Sequence, residues 1–363
     1  MSERARPAGR MGRWLLRGLL ILVAAIVLAI VALKLVSMAA GESLRSYALR
    51  EIFLPAMNAK QGMIDERSFT RSFAEQQKAG SAPPSDELRA HYAVSKSVVD
   101  GRTVYTVVPR QGGNRRRIVY LHGGAYIGPM SSLQWSIVSG LAERTGATVI
   151  VPDYGLAPRH SWRDGYALMD RVYGGLLSRS RPQDVILSGD SAGGGFALGF
   201  ALWLKDQRKP LPAGLVLFSP WLNLTLHNPA QEALDDRDPI LARPALNYGA
   251  RLWAAGLPLE DPRISPVLGS LSGLPPIFVA SGTADLLHAD ALQLLQRGRA
   301  AGVGLDYDEG RNQTHAWSIV PMPEAERLYD RAAGFINTAV PLRARLLCKD
   351  QPGGSPDAGE HGR

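Results

Sequence analysis

The chain carries one cysteine, Cys348, in 363 residues. A lone thiol cannot close an internal disulfide, and it leaves no Cys-based zinc site. No HExxH motif occurs, and no GxGxxG turn stands where a dinucleotide would need one. No metal and no cofactor is therefore implied. Internal repeats are also missing, which removes solenoids and propellers. Beyond its first fifty residues the chain lacks an excess of charge. Of the formal net charge of +8, residues 1–50 supply +6, from eight Lys/Arg (Arg4, Arg6, Arg10, Arg13, Arg17, Lys34, Arg45, Arg50) against Glu3 and Glu42. A body at only +2 has no basic footprint for nucleic acid, so no such partner is expected. Hydrophobic residues are 45% and charged residues 20%, the balance of a chain that buries a core.

What the chain does have comes first at its N-terminus. Residues 18–33 (GLLILVAAIVLAIVAL) are uncharged, and residues 14–36 are interrupted only by Arg17 and Lys34 near the ends. Those two side chains can snorkel towards headgroups. At about 1.5 Å per residue, a helix of this length covers a hydrocarbon core of roughly 30 Å. A cleaved signal peptide is the rival reading. Residues 37–39 (Ser-Met-Ala) offer weak small-residue positions, but the run exceeds the roughly 7–15 apolar residues of such peptides. An uncleaved anchor over residues 14–40 is preferred, with secretion after cleavage as the alternative. Five arginines before the run place a basic N-terminus, residues 1–13, in the cytoplasm. The body then lies outside, or in the periplasm of a bacterium.

Residues 41–95 are polar with scattered apolar positions and read as a short-helical cap or N-terminal segment. From there the pattern changes, and residues 96–342 read as one catalytic α/β domain with a cap insert at about 221–252. Strands are expected at 104–108, 118–121, 148–151, 185–187, 215–218 and 277–280. Helices are expected at 133–145, 166–177, 192–205, 290–301 and 323–340. Alternation of this kind gives βαβ units and a mostly parallel sheet flanked by helices. The strands are continuous apolar runs, as in sheets covered on both faces. Residues 343–363 (RARLLCKDQPGGSPDAGEHGR) include a polar Gly/Pro-rich stretch and read as a disordered tail.

The sharpest chemical signal is Gly189-Asp190-Ser191-Ala192-Gly193, between the strand at 185–187 and the helix at 192–205. This is the context of a nucleophile elbow. The turn is so tight that the residues two before and two after the serine must be small. The serine sits in a strained conformation that lifts its hydroxyl off the sheet. An oxyanion formed on attack needs donors. His122-Gly123-Gly124-Ala125 follows the strand at 118–121, and small residues let the N–H groups of Gly123, Gly124 and Ala125 approach a substrate oxygen. The N–H of Ala192, next to the nucleophile, supplies another donor.

HGGAY, then Asp153-Tyr154-Gly155-Leu156-Ala157-Pro158, then GDSAGG, in this order, resemble the hormone-sensitive-lipase-like branch of the α/β-hydrolase esterases. The resemblance runs from about residue 90 to 340, through Ser219-Pro220-Trp221, Ser265-Pro266 and Gly273-Leu274-Pro275-Pro276. It implies the α/β-hydrolase fold with a helical cap. The family has HGGG, and its last two small positions donate to the oxyanion; here these are Gly124 and Ala125. Alanine keeps the N–H but loses the freedom of glycine at positive φ. The family also has Arg and Glu where this chain has Gly155 and Arg159.

In this fold the chain order is serine, acid, histidine. Of the histidines after Ser191, His315 lies in Asn312-Gln313-Thr314-His315-Ala316-Trp317, before the last helix, where the family places its base. The acid should follow the strand at 277–280, at its C-terminal end, where ligand chemistry collects in open sheets. Asp285 does so. Asp290, five residues on, is the rival, but it should already lie in the next helix. Asp153 and Asp190 read as braces for loops near the site. Trp135, Trp162, Trp221 and Tyr126 are candidates for lining an acyl pocket. The expected activity is a serine ester hydrolase with the catalytic set Ser191, Asp285 and His315, acting on uncharged small-molecule esters with short to medium acyl chains. A lactone hydrolase or amidase with the same triad, and a non-catalytic small-ligand-binding protein on the same fold, are the alternatives. The N-terminal helix makes a membrane the other expected partner; the sequence leaves oligomeric state open.

Overall fold

The computed structural model describes residues 8–315 and 317–342. The expected tail, Cys348 and His361 lie outside the described residues, as do Arg4 and Arg6. Eight strands build one sheet: β1 (Tyr92–Val99), β2 (Arg102–Pro109), β3 (Arg117–Leu121), β4 (Thr148–Pro152), β5 (Val185–Asp190), β6 (Gly214–Phe218), β7 (Ile277–Ala284) and β8 (Leu305–Thr314). Their order is β1-β2-β4-β3-β5-β6-β7-β8. β1 with β2 and β2 with β4 are antiparallel, and every other pair is parallel.

The longer helices are α1 (Ala8–Ala39), α2 (Glu66–Ala79), α3 (Trp135–Thr145), α4 (Trp162–Leu177), α5 (Ala192–Asp206), α6 (Arg243–Ala254), α7 (His288–Ala300) and α8 (Pro323–Ala339). Successive residues of a strand point to opposite faces, so each apolar strand feeds two cores. Val119, Leu121, Leu187, Leu217 and Val279 pack under α4, α5 and α7. Ile118, Tyr120, Ile186, Val216 and Phe278 pack against α3 and α8 on the other face. Each such side chain contributes about 1.5–3 kcal/mol on burial.

Two strands go beyond the six expected from sequence. β1 begins at Tyr92, inside the stretch read as cap, so the α/β body starts earlier than residue 96. It is an edge strand, mostly exposed, and therefore has no apolar run. The connection to β2 is Asp100-Gly101, both at positive φ, the Asp-Gly pair that a two-residue hairpin turn favours. β8 is the opposite edge and reads LDYDEGRNQT, again without an apolar run.

Residues 44–64 form short helical turns, and α2 and α6 lie together over the C-terminal ends of the strands, with Phe69 of α2 against Tyr248 of α6 at 5.5 Å between rings. The aromatics considered for an acyl pocket belong to the core instead. Tyr126 stacks on Trp253 at 4.5 Å, Trp221 is fully buried, and Trp162 meets Tyr166 edge-on. Trp135 lies on the other sheet face, donating its indole N–H to Ala82 O at 2.9 Å. Large rings with one polar handle bury most stably where that handle finds a carbonyl.

Among the described residues one helix, α1, is long and apolar enough to cross a membrane, and none of its apolar span is buried in the body. The chain just past its C-terminal end is fastened to that body. Asn312 Nδ2 donates to Ala40 O at 3.1 Å. The Ser43 N–H and hydroxyl both donate to the Glu324 carboxylate, at 2.7 and 2.8 Å, and Ser46 Oγ donates to Gln313 Oε1 at 3.1 Å.

Candidate active site

β5 delivers Ser191 to the top of the sheet in a sharp turn, at φ 51° and ψ −123°, immediately before α5. A non-glycine residue in such a sparsely populated region costs on the order of 1–3 kcal/mol. The tightness explains the flanking glycines. A Cβ on Gly189 would stand 2.4 Å from the Gly193 backbone, and one on Gly193 would stand 2.0 Å from Leu121 O.

His315 follows directly on β8. Its Nε2 lies 3.0 Å from Ser191 Oγ, and its Nδ1 lies 3.0 and 3.1 Å from the two oxygens of Asp285. The Asp285 contacts assign the proton to Nδ1, which leaves Nε2 to accept from the serine hydroxyl. Asp285 is fully buried just after β7 and also accepts the Leu287 N–H at 2.8 Å. Burial pushes the His315 pKa down, but the Asp285 charge and hydrogen bond, with Asp238 and Asp190 behind them, carry it above its ordinary value. The structure thus brings Ser191, His315 and Asp285 into one line of contacts.

Asp290 sits in α7, fully buried and apart from that line. Its carboxylate accepts the N–H groups of Leu222 and Asn223 at 2.9 Å each, and Gln231 Nε2 at 3.1 Å. Burial pushes its pKa up to about 7. It pins the base of the cap insert. A carboxylate that sequence reasoning did not single out, Asp238, braces the residue that follows Asp285. Its Oδ2 accepts the Leu286 N–H at 2.8 Å, and its Oδ1 accepts those of Ile240 and Leu241. Burial, then the nearby Asp285 charge, hold its pKa above the usual carboxylate range. No spacing motif marks Asp238; only the fold brings the cap insert beside β7.

Of the four expected oxyanion donors, Gly123 is corrected. Its N–H donates to Asp190 Oδ1 at 2.9 Å, so it is committed to bracing the loop. Asp190 also accepts from Tyr120 Oη and from Gln134 Nε2, the latter at 2.9 Å to Oδ2. Among the described residues the N–H groups of Gly124, Ala125 and Ala192 have no acceptor. Gly124 has φ 124°, and a Cβ there would meet Gly128 O at 2.4 Å. Ala125 occupies φ 52°, the left-handed region where a side chain is strained. Helix α6 lies on it, with the Gly249 backbone so close that a Cβ would stand 2.4 Å from Ala125 O.

The remaining motif residues brace this loop. The His122 ring stacks on Tyr154 at 4.3 Å, and Tyr154 Oη donates to His122 O at 2.7 Å. Burial lowers the His122 pKa, which favours the neutral ring. Asp153 accepts from Ser81 Oγ at 2.6 Å. At the departure from the family pattern, His160 fills the space over Gly155, where a Cβ would stand 2.3 Å from its ring.

Ser191 and His315 are both buried under the cap. A cavity of about 590 Å³ lies between α2 and α6, lined by Phe73, Ile127, Tyr248 and Leu252, with Ile127 two residues from Ala125. A second, of about 550 Å³, is walled by Leu54, Pro55 and Lys60 on one side and by Asp238, Ala284 and Asn312 on the other. Among the described residues no cluster of His, Cys, Asp and Glu is arranged to hold a metal ion.

Residues 118–319 match a family described as having the alpha/beta hydrolase fold. An esterase of Acinetobacter venetianus is 32% identical over 235 residues, covering 63% of this chain and 77% of the relative. An acetyl-hydrolase of Streptomyces hygroscopicus is 28% identical over 295 residues, covering 80% and 95%. The crystal structure of an esterase from the bacterial hormone-sensitive lipase family superposes with a TM-score of 0.66 at 27% identity, covering 76% of this chain and 91% of that one.

Proposed function

The chain belongs to the hormone-sensitive-lipase-like branch of the α/β-hydrolase family, and on that premise we propose that it hydrolyses carboxylic esters through Ser191, His315 and Asp285. The observation that carries the proposal is the unbroken line from Ser191 Oγ to His315 Nε2 at 3.0 Å and from His315 Nδ1 to Asp285 at 3.0 Å. Ser191 Oγ attacks the ester carbonyl while its proton passes to His315 Nε2. Asp285 stabilises the resulting imidazolium and holds its orientation. The oxyanion sits among the N–H groups of Gly124, Ala125 and Ala192, each worth about 2.7–4 kcal/mol of transition-state stabilisation. Collapse breaks the ester C–O bond, and His315 returns its proton to the departing alcohol. The acyl group is left on Ser191. Water, deprotonated by His315, attacks that acyl carbon and releases the acid and the free serine.

The apolar part of the cavity between α2 and α6 (Phe73, Ile127, Tyr248 and Leu252), beside the polar Thr70, Gln77, Lys78 and Arg159, is our ground for reading the substrates as uncharged esters with short to medium acyl chains. The length and apolarity of α1 support an uncleaved anchor, and the five arginines before its apolar run support an N-terminus in the cytoplasm with the catalytic body outside. A fluorophosphonate probe and p-nitrophenyl esters of rising chain length test the chemistry. Wild type should label and turn over, and Ser191→Ala should do neither. Equal labelling after Ser191→Ala would refute the nucleophile, and retained activity in His315→Ala would refute the base. Membrane fractionation with N-terminal sequencing tests the anchor.

A further inference from the structure

Among the described residues, eight large apolar side chains outside α1 are strongly exposed, and four of them fall within thirteen residues: Ile52, Phe53, Met57 and Ile64. Phe53 and Met57 are 59% and 74% exposed and one helical turn apart. Ile52, Pro55 and Ala56 are exposed beside them. Scattered apolar residues on a surface need no account, but a contiguous group does.

The position of this group identifies its occupant. Fourteen residues separate the end of α1 at Ala39 from Phe53, and since residues 44–53 are helical at about 1.5 Å each, that path stays within roughly 30 Å. The junction between is not a free linker. Asn312, Gln313 and Glu324 hold Ala40, Ser43 and Ser46, and the residue after Gln313-Thr314 is His315 itself. The point where α1 enters the body is therefore fixed relative to the triad. Beside the apolar group lies the cavity of about 550 Å³, a polar one, to which Leu54 and Pro55 contribute with Arg50, Lys60 and Asp238, and which reaches Ala284, next to Asp285.

We propose that the outward face of residues 52–64 lies in the headgroup layer of the membrane that α1 enters, and that the site draws its esters from that bilayer. The occupant is a lipid surface, because the apolar group begins within fourteen residues of an apolar helix whose exit is held against the body. Amphipathic helical segments bind in this way by laying apolar side chains at the acyl boundary. This rests on reading α1 as a retained anchor and Ser191 as the nucleophile. It narrows the substrate class to uncharged acyl esters that partition into lipid.

The test uses the full chain with Cys348→Ser, reconstituted in phosphatidylcholine vesicles. An environment-sensitive fluorophore is attached after Met57→Cys and, separately, after Val98→Cys on the far edge strand. The expected result is quenching of the label at position 57 by doxyl-labelled lipids, with the label at 98 unquenched. In the same vesicles, Phe53→Asp with Met57→Asp should lower the ratio of turnover on a lipid-partitioned ester to turnover on dissolved p-nitrophenyl acetate by about tenfold. An unquenched label at 57, or an unchanged ratio, overturns the proposal. Loss of all ester turnover in wild type with quenching at 57 preserved would instead overturn the proposed chemistry and leave the docking standing.

Discussion

Replacing Gly249 by alanine tests whether the cap holds the oxyanion loop in place. Gly249 is in the interior of α6, and its missing Cβ would stand 2.4 Å from Ala125 O, whereas ordinary contact begins at 3.4 Å. Either α6 or the Ala125 peptide must therefore shift by about 1 Å. A displacement of that size away from the reacting atoms costs about 10²-fold in rate. Full loss of one oxyanion donor costs about 2.7–4 kcal/mol, or 10²–10³-fold in kcat. The fold suffers less. Overpacking costs about 1–3 kcal/mol, partly offset by the helix propensity of alanine over glycine, about 1 kcal/mol. We expect kcat on p-nitrophenyl butyrate to fall about 10²-fold, the rate of fluorophosphonate labelling to fall with it, and urea unfolding to show at most about 2 kcal/mol of destabilisation. Gly174→Ala is the control, since that Cβ meets nothing within 4 Å; it should leave kcat unchanged and raise stability by about 0.5–1 kcal/mol. A Gly249→Ala enzyme with full kcat and an intact fold would refute the idea that α6 positions the Ala125 N–H.

Asp285→Asn should lower kcat by about 10⁴-fold by misassigning the histidine tautomer. Because Asp285 is what lifts the His315 pKa against burial, the residual activity should persist to lower pH than in wild type. In wild type the base works neutral, so kcat/KM should rise with pH through a midpoint above 6.5; a midpoint below that value would contradict the geometry. The same raised value means that His315 stabilises the fold below pH 6.5, and that this contribution fades as pH rises through the folded pKa, which urea melts against His315→Gln would register. Gly123→Ala places a Cβ 2.5 Å from Asp190 Oδ2 and 2.9 Å from Ser191 Cβ, so activity and Tm should fall together in thermal melts with parallel assays. Asp238→Ala strips the N–H groups of Leu286, Ile240 and Leu241 of their acceptor, at about 1–3 kcal/mol for each group left buried and unpaired. Denaturant unfolding should show a loss of at least about 2 kcal/mol, and a neutral result would mean that those groups reach water.

The parts of this molecule that were legible in its sequence are those set by local rules. A strand, a small-x-Ser-x-small turn and a helix are contiguous, so Ser191 could be placed on its elbow from seven or eight residues. The buried strands announced themselves by apolar runs because helices cover both faces. The edge strands did not, since β1 is mostly exposed and β8 is half-buried over most of its length, so neither carries an apolar run; the Asp100-Gly101 turn was the available signal for the first. Asp238 was invisible for a different reason. It reaches Leu286 across 48 residues of chain, and only folding of the cap insert makes that contact. The commitment of the Gly123 N–H to Asp190 is likewise a tertiary fact, since sequence shows that a donor exists and not which acceptor holds it.

The two edges of the sheet have one more consequence. An open strand edge is a template for joining sheet to sheet. β1 presents Lys96 among exposed polar neighbours. β8 carries Asp306, Asp308, Glu309 and Arg311, and its pairing with β7 is broken by an irregularity between Gly282 and Ala284. Neither edge therefore offers a flat, uncharged ribbon on which a second copy could polymerise.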